Sequence, residues 1–195
     1  MDAMETLRGQ YLVAMPGMAD ERLVETVIYL VAHGEDGAMG LVVNKPMGGM
    51  HLSDILDEMD MDEEAEAIRV SEKRLEQDVL KGGPVDTSRG FVLHSPDYFR
   101  DGNSYLVGEE VCLTATLDVL RAIAEGTGPS RSVLALGYCG WGAGQLEDEL
   151  KQNGWLTLAH SPDLMFNVPA ARRYDKALAT LGISRATLSP YSGSA

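Results

Sequence analysis

VIYLVAHGEDGAMGLVVNKP, residues 27–46, carries two apolar runs around a polar turn. The first run, VIYLVAH (27–33), is rich in β-branched residues, so it reads as a buried strand. GEDG (34–37) has the composition of a hairpin turn, and AMGLVVNKP (38–46) is the return strand, ended by Pro46. A hairpin joins antiparallel neighbours, so the sheet that holds this stretch is not purely parallel.

Working outward, YLVAM (11–15) is a short strand stopped by Pro16-Gly17, and Asp20 caps a brief helical turn through Leu23 and Val24. On the other side, Leu52, Ile55, Leu56 and Met59 share one face of a helix, with Asp54, Asp57, Glu58 and Asp60 off it. The charged residues that follow, to about Gln77, are expected to form a mobile surface excursion. DVLKGGPV (78–85) and RGFVLHS (89–95) read as strands, and NSYLVGEEVCLT (103–114) as a hairpin around Gly108. Leu117, Leu120, Ile123 and Ala124 predict a helix with Thr116 as N-cap and Gly126 at its end. SVLALGY (132–138), the most apolar strand, is expected at the centre of the sheet. It leads through a glycine loop into a helix over 144–153, then the strand WLTLAHS (155–161). Pro169 opens a last helix that Gly182 closes, with Tyr174, Leu178 and Leu181 on its packing face.

The 195 residues suffice for one core, or one core with a small embedded subdomain in the middle of the chain, so residues 1–195 are read as a single domain. A net charge of -14 repels nucleic acid and anionic membrane, and Lys73, Arg74 and Lys81 are interleaved with acids rather than gathered into a basic patch. The N-terminal stretch lacks a cationic flank and an apolar core, and the longest apolar run, residues 27–32, is too short to span a bilayer. Cytoplasmic localisation follows as the expectation, with Cys112 and Cys139 as reduced thiols. No zinc or calcium spacing occurs, and the acidic segment 54–66 reads as a solvated helix face, so no metal or other cofactor is expected.

LGYCGWGAGQLEDELKQNGW (136–155) has the shape of loops that hold a phosphate or a nucleophile. The phosphate fingerprints fail: Gln145 stands where a GxGxxG would need glycine, and no Gly-Lys follows. Glu147, Asp148 and Glu149 in the first helical turns would repel an anion. As a nucleophile elbow, Cys139 is centred, but Trp141 replaces the closing glycine. His33, His94 and His160 are the available bases, against the plainer reading of a small buried thiol. His-Ser-Pro-Asp occurs twice, at residues 94–97 and 160–163, which reads as two similar strand exits or as two histidines meeting across a pseudo-symmetric sheet. A ligand pocket could be bordered by Asn44, Lys45, Gly82, Gly83, Gly140, Trp141, Gly142 and Gln145, with Trp141 as its wall.

Four blocks in order, YLVAMPGMAD, HGEDGAMGLVVNKP, LKGGPVDTSRGFVLH and LGYCGWGAGQLEDELKQNGW, closely resemble the AlgH/YqgE family of bacterial proteins. The resemblance runs from about residue 8 to the C-terminus, apart from roughly 60–77. It implies an α/β fold with coiled, mixed sheets and a name drawn from regulation of alginate synthesis. It supplies no catalytic residues and no recognised helix-turn-helix. The family pattern usually has alanine in place of Cys139, which weakens the nucleophile reading.

The expected fold is therefore mixed α/β, a coiled sheet of parallel and antiparallel strands flanked by helices. The expected function is that of a regulatory or adaptor protein acting through contacts with a protein partner, including indirect transcriptional regulation. The alternative is a small-molecule-binding protein or an enzyme using the pocket at the glycine-rich strand-to-helix loop. Direct DNA binding ranks last.

Overall fold

In the computed structural model, which describes residues 5–18, 20–58 and 72–184, the hairpin is the seed of a ten-stranded sheet. Strands β2 (Val27–Gly34) and β3 (Gly37–Val42) pair antiparallel, closing with Gly34 opposite Gly37. Strand β1 (Tyr11–Ala14) lies against β2, and Asp20 caps a 3-10 turn at Glu21–Leu23 between them. Strand β4 (Pro46–His51) is followed by α1 (Leu52–Glu58), and α2 (Glu72–Leu75) leads into β5 (Asp78–Lys81). Next come β6 (Val85–His94), β7 (Ser104–Leu106), β8 (Cys112–Thr114) and α3 (Leu117–Glu125). The remainder is β9 (Ser132–Gly142), α4 (Gln145–Lys151), β10 (Trp155–Leu158), α5 (Pro162–Phe166) and α6 (Ala170–Thr180). Met59 and the charged stretch to residue 71 lie outside the described residues.

Strand order is β10-β1-β2-β3-β9-β6-β8-β7, with β4 and β5 joined laterally through β5–β9. The α/β class holds, and the sheet is strongly curled. The expected mixture of strand directions does not hold. Every pairing is antiparallel except a two-residue match of β5 with β9, Leu80 to Ala135 and Lys81 to Leu136. In chain order β9, α4 and β10 have the form of a βα unit, which ordinarily sets two strands parallel. In the structure β10 does run in the same sense as β9, but β3, β2 and β1 stand between them. The crossover thus ends beside β1, antiparallel to it.

Alternation builds the core. Tyr11, Val13, Val27, Tyr29, Val31, Leu41 and Val43 share one face of the sheet, where they pack with Leu164, Met165, Tyr174, Ala177 and Leu178 of α5 and α6. The intervening Leu12, Ala14, Ile28, Leu30 and Val42 pack on the opposite face with Trp141, Leu146 and Trp155. On the other half, Val79, Val92 and Leu134 pack outward against α1 and α3. Both faces are covered, so these strands read as continuous apolar runs rather than as alternating ones.

Strand β9 joins the two halves. Its first part pairs with β6, and its last part, Cys139 to Gly142, pairs with β3. The bend falls at Gly137, where φ is +78°. The supposed glycine loop is therefore mostly strand. Three other local features depart from the sequence reading. Pro46 opens β4 instead of only ending β3, a position that needs no ladder N–H. Ser161-Pro162-Asp163 opens α5, with proline at its first turn. Leu117, placed on the packing face of α3, is 62% exposed, and Val119 is buried in its stead.

Candidate functional site

The residues expected to border a pocket are brought near one another, but as a crossing of backbones. Asn44 is a buried staple: its Oδ1 accepts from Val27 N and its Nδ2 donates to Glu25 O, both at 2.8 Å, fixing Glu25 at φ +53°. Lys45 O accepts from Lys81 N at 2.7 Å, and Gly82 bridges Val42 N and Leu136 O. A Cβ on Gly82 would overlap the Gly137 carbonyl oxygen, and one on Gly83 the Tyr138 carbonyl. These glycines are required because main chain passes directly over main chain.

The rest of the expected set closes on itself. Gly140 pairs with Met39 and Gly142 with Gly37. The Gly142 N–H, the group a phosphate would use, donates to Gln145 Oε1 at 3.0 Å, and Gln145 Nε2 donates to Glu149 Oε1 at 3.3 Å. Glu149 Oε2 accepts from both indoles, Trp141 Nε1 and Trp155 Nε1, each at 2.8 Å. The two rings meet edge to face at 6.2 Å. Trp141 is thus a clamped core residue. Its neighbour Cys139 is buried, which pushes the thiol up to about 12, with Asp20 adding to the rise and Arg22 opposing it. A thiol held that high is no nucleophile near neutral pH.

The histidines follow the same pattern. His33 Nδ1 accepts from Leu7 N at 2.9 Å, so Nε2 carries the proton and donates to Glu147 Oε1 at 2.7 Å. His94 Nδ1 donates to Ser95 O, while Nε2 accepts from Thr114, itself bonded to Ser104. Burial holds His94 below its ordinary range against the opposing pulls of Ser95 and Asp97. His160 has different neighbours: the Tyr29 ring, and Glu110 Oε2 at 3.4 Å without hydrogen-bond alignment. The repeated His-Ser-Pro-Asp therefore gives two unrelated environments.

A concavity lined by charged side chains lies elsewhere. A cleft of about 500 Å³ opens between α2 and β5, the start of β9, and the turn joining α5 to α6. Arg74, Arg131 and Arg173 line it from these separate elements, with Phe166 as an apolar wall. Arg173 is only 6% exposed. Its Nε donates to Val168 O at 2.9 Å and its Nη1 to Val43 O, which tie α6 to the end of β3. Burial pulls this guanidinium down to about 10, with Tyr11 opposing. Arg74 Nη2 donates to Pro129 O at 2.7 Å and Ser132 Oγ at 3.2 Å. Burial lowers Arg74 too, opposed by Asp97 from beyond ion-pair distance. Exposed Arg131 stacks over the Phe166 ring at 5.5 Å. Among the described residues none of the three makes a carboxylate ion pair; the Arg/Lys–carboxylate pair present is Arg22–Asp20.

Sequence reading missed this set because its members are scattered. One signal existed. Arg173 sits three residues after Ala170 and four before Ala177, inside the stripe that packs α6. A charge in that position is either buried or at the rim of a site.

A second open feature is the far edge of the sheet. Among the described residues strand β7 pairs only with β8, and Tyr105 and Leu106 on it are 63% and 54% exposed. Leu117 at the start of α3 is exposed as well, and an Asn103–Asp118 hydrogen bond of 3.3 Å ties the two elements. No helix among the described residues is long and apolar enough to cross a membrane.

The sequence profile of the AlgH-like family matches residues 11–186, and the chain belongs to that family. A UPF0301 protein of a Methylobacterium species is 52% identical over 97% of this chain and 90% of its own length. A relative from Mesorhizobium japonicum is 50% identical over 97% of this chain and 93% of its own. The solution structure of AlgH from Pseudomonas aeruginosa superposes with a TM-score of 0.74 at 41% identity, covering 100% of this chain and 99% of that one. A crystal structure from Corynebacterium diphtheriae, at 19% identity and a TM-score of 0.70 over 92% of this chain and 90% of that one, shares the fold. None of these names assigns an activity.

Proposed function

We propose that this AlgH-like protein is a cytoplasmic regulatory or adaptor protein that acts through protein contacts, with the β7 edge as its docking surface. The observation that supports this is that Tyr105 and Leu106, consecutive on the terminal strand, are both more than half exposed, with Leu117 exposed at the start of α3. Open edges with apolar side chains invite strand addition, and proteins normally blunt them. Asp101, Glu109, Glu110 and Asp118 flank the edge, against Arg100 and Arg121. The partner is therefore an extended segment with basic flanks that adds a strand to β7.

A Tyr105→Ser/Leu106→Ser double variant, compared with wild type in affinity capture from cells of the source organism, tests this. A partner held by wild type, lost by the variant and cross-linked through a basic segment is the expected result. Equal recovery by both forms would refute the surface. Loss of a dimer of this chain, and of nothing else, would replace the partner with a second copy.

The cleft favours a second reading, a small-molecule-binding protein, because three guanidiniums and an aromatic ring share one concavity.

A further inference from the structure

Arg173 is only 6% exposed, and among the described residues no carboxylate lies within ion-pair distance of it. Its two described hydrogen bonds go to neutral carbonyls, which satisfy N–H groups but supply no countercharge. Its Nη2 bonds to none of the described residues. A buried charge without a countercharge is costly, and the cost falls when an anion is brought to it.

Arg131 and Arg74 enter the same cleft from other elements. Like charges brought together repel, so nothing in folding alone rewards the gathering. Two exposed carboxylates, Glu76 and Asp78, also line the cleft. Asp78 Oδ1 is already 3.6 Å from His51 Nε2. Among the described lining residues, three guanidiniums against two carboxylates leave one net positive charge, on a protein of net charge -14. The place is electrostatically opposite to the rest of the surface, which suits capture of an anion the remaining surface repels.

We infer that the cleft binds a free small oxyanion, a carboxylate or phosphate, carried on an apolar body. Arg173 and Arg131 supply charge and planar N–H donors, Ser132 and Gln77 line the polar side, and Phe166 supplies the apolar wall. A cavity of about 500 Å³ fits a small molecule rather than a macromolecular segment. This inference rests on the second reading above, and it adds the ligand's charge.

The test is an amide NMR titration of the full chain at constant ionic strength, with sodium chloride as reference. The probes are phenyl phosphate, benzoate, inorganic phosphate and neutral benzyl alcohol. The expected result is saturable shifts at residues 130–133 and 166–170 with phenyl phosphate or benzoate, absent with chloride. Arg131→Ala and Arg173→Met should each weaken binding at least tenfold. Arg131 is exposed, so its variant keeps the test valid where Arg173→Met fails to fold. Tighter binding of phenyl phosphate than of benzoate identifies a phosphate ligand, and the reverse a carboxylate. Binding of inorganic phosphate as tight as phenyl phosphate would overturn the apolar body. Binding of benzyl alcohol alone would overturn the oxyanion while leaving a small-molecule site. No saturable shift with any probe would overturn both.

Discussion

The β9–α4 corner and the arginine cleft treat charge in opposite ways. At the corner two of the three acids of α4 meet fixed donors: Glu147 meets His33, and Glu149 meets two indoles and Gln145. In the cleft three guanidiniums meet carbonyls, a hydroxyl and a ring, and among the described residues no carboxylate ion pair. The corner is conspicuous in sequence, with glycines, cysteine and tryptophan in ten residues, yet its donors are spent on the fold. The cleft is inconspicuous, and its charge is left uncompensated. Residues that catch the eye can be conspicuous because backbones must cross there.

The sharpest way to break this comparison is to disturb the crossing. Gly82→Ala would drive a Cβ into the Gly137 carbonyl, where main chain cannot retreat. We expect a loss on the order of 3 kcal/mol or more in chemical denaturation. A near-neutral result would mean that the corner has room for a ligand after all.

Next in size is Glu149→Ala, which leaves the Trp141 and Trp155 indole N–H groups without their shared acceptor. At about 1–3 kcal/mol per orphaned buried donor, two donors give a loss of about 2–6 kcal/mol. Tryptophan fluorescence during urea unfolding reads both the stability and the altered ring environment. Unchanged emission and midpoint would show that the clamp is not formed.

A smaller effect appears in acid. The His33 hydrogen bond, with lesser help from the Glu147 backbone, His33 and Lys151, holds the Glu147 carboxyl below its ordinary value of 4.5. A depressed acid stabilises the fold above its unfolded value, and that contribution disappears as pH falls through the folded value. The stability–pH curve should therefore fall below about pH 4.5, and Glu147→Gln should flatten that limb. A variant with the same acid limb as wild type would remove Glu147 from the account.

The smallest effect belongs to the sheet edge. Tyr105→Ser/Leu106→Ser should change stability by no more than about 1 kcal/mol, since exposed positions contribute little to folding. A loss of several kcal/mol in thermal melts would show that these side chains serve the core.

Much of the fold was legible because local chemistry and tertiary role agree. The β-branched run at 27–33 and its glycine-flanked turn give the β2–β3 hairpin, and Gly126 in the left-handed region ends α3 as its sequence position suggests. What was hidden depends on distant partners. Gly140 and Gly142 read as loop, but they face Met39 and Gly37 across a ladder, so β9 continues through them. Strand direction was misjudged because a βα crossover says nothing about how many strands it passes. Asn44, Lys45, Gly82 and Gly83 lie along backbone contacts of one region, and the close approach of Gly82 to Gly137 there depends on chain segments too far apart for sequence spacing to reveal. The arginines come from α2, the start of β9 and α6, too far apart for any spacing rule.

The most direct test is a crystal structure of the full chain grown with phenyl phosphate. The account predicts the oxyanion between Arg131 and Arg173, the ring against Phe166, and the Gly142–Gln145 hydrogen bond intact. Phosphate seated on the Gly142 amide, with Gln145 displaced and the cleft empty, would contradict it.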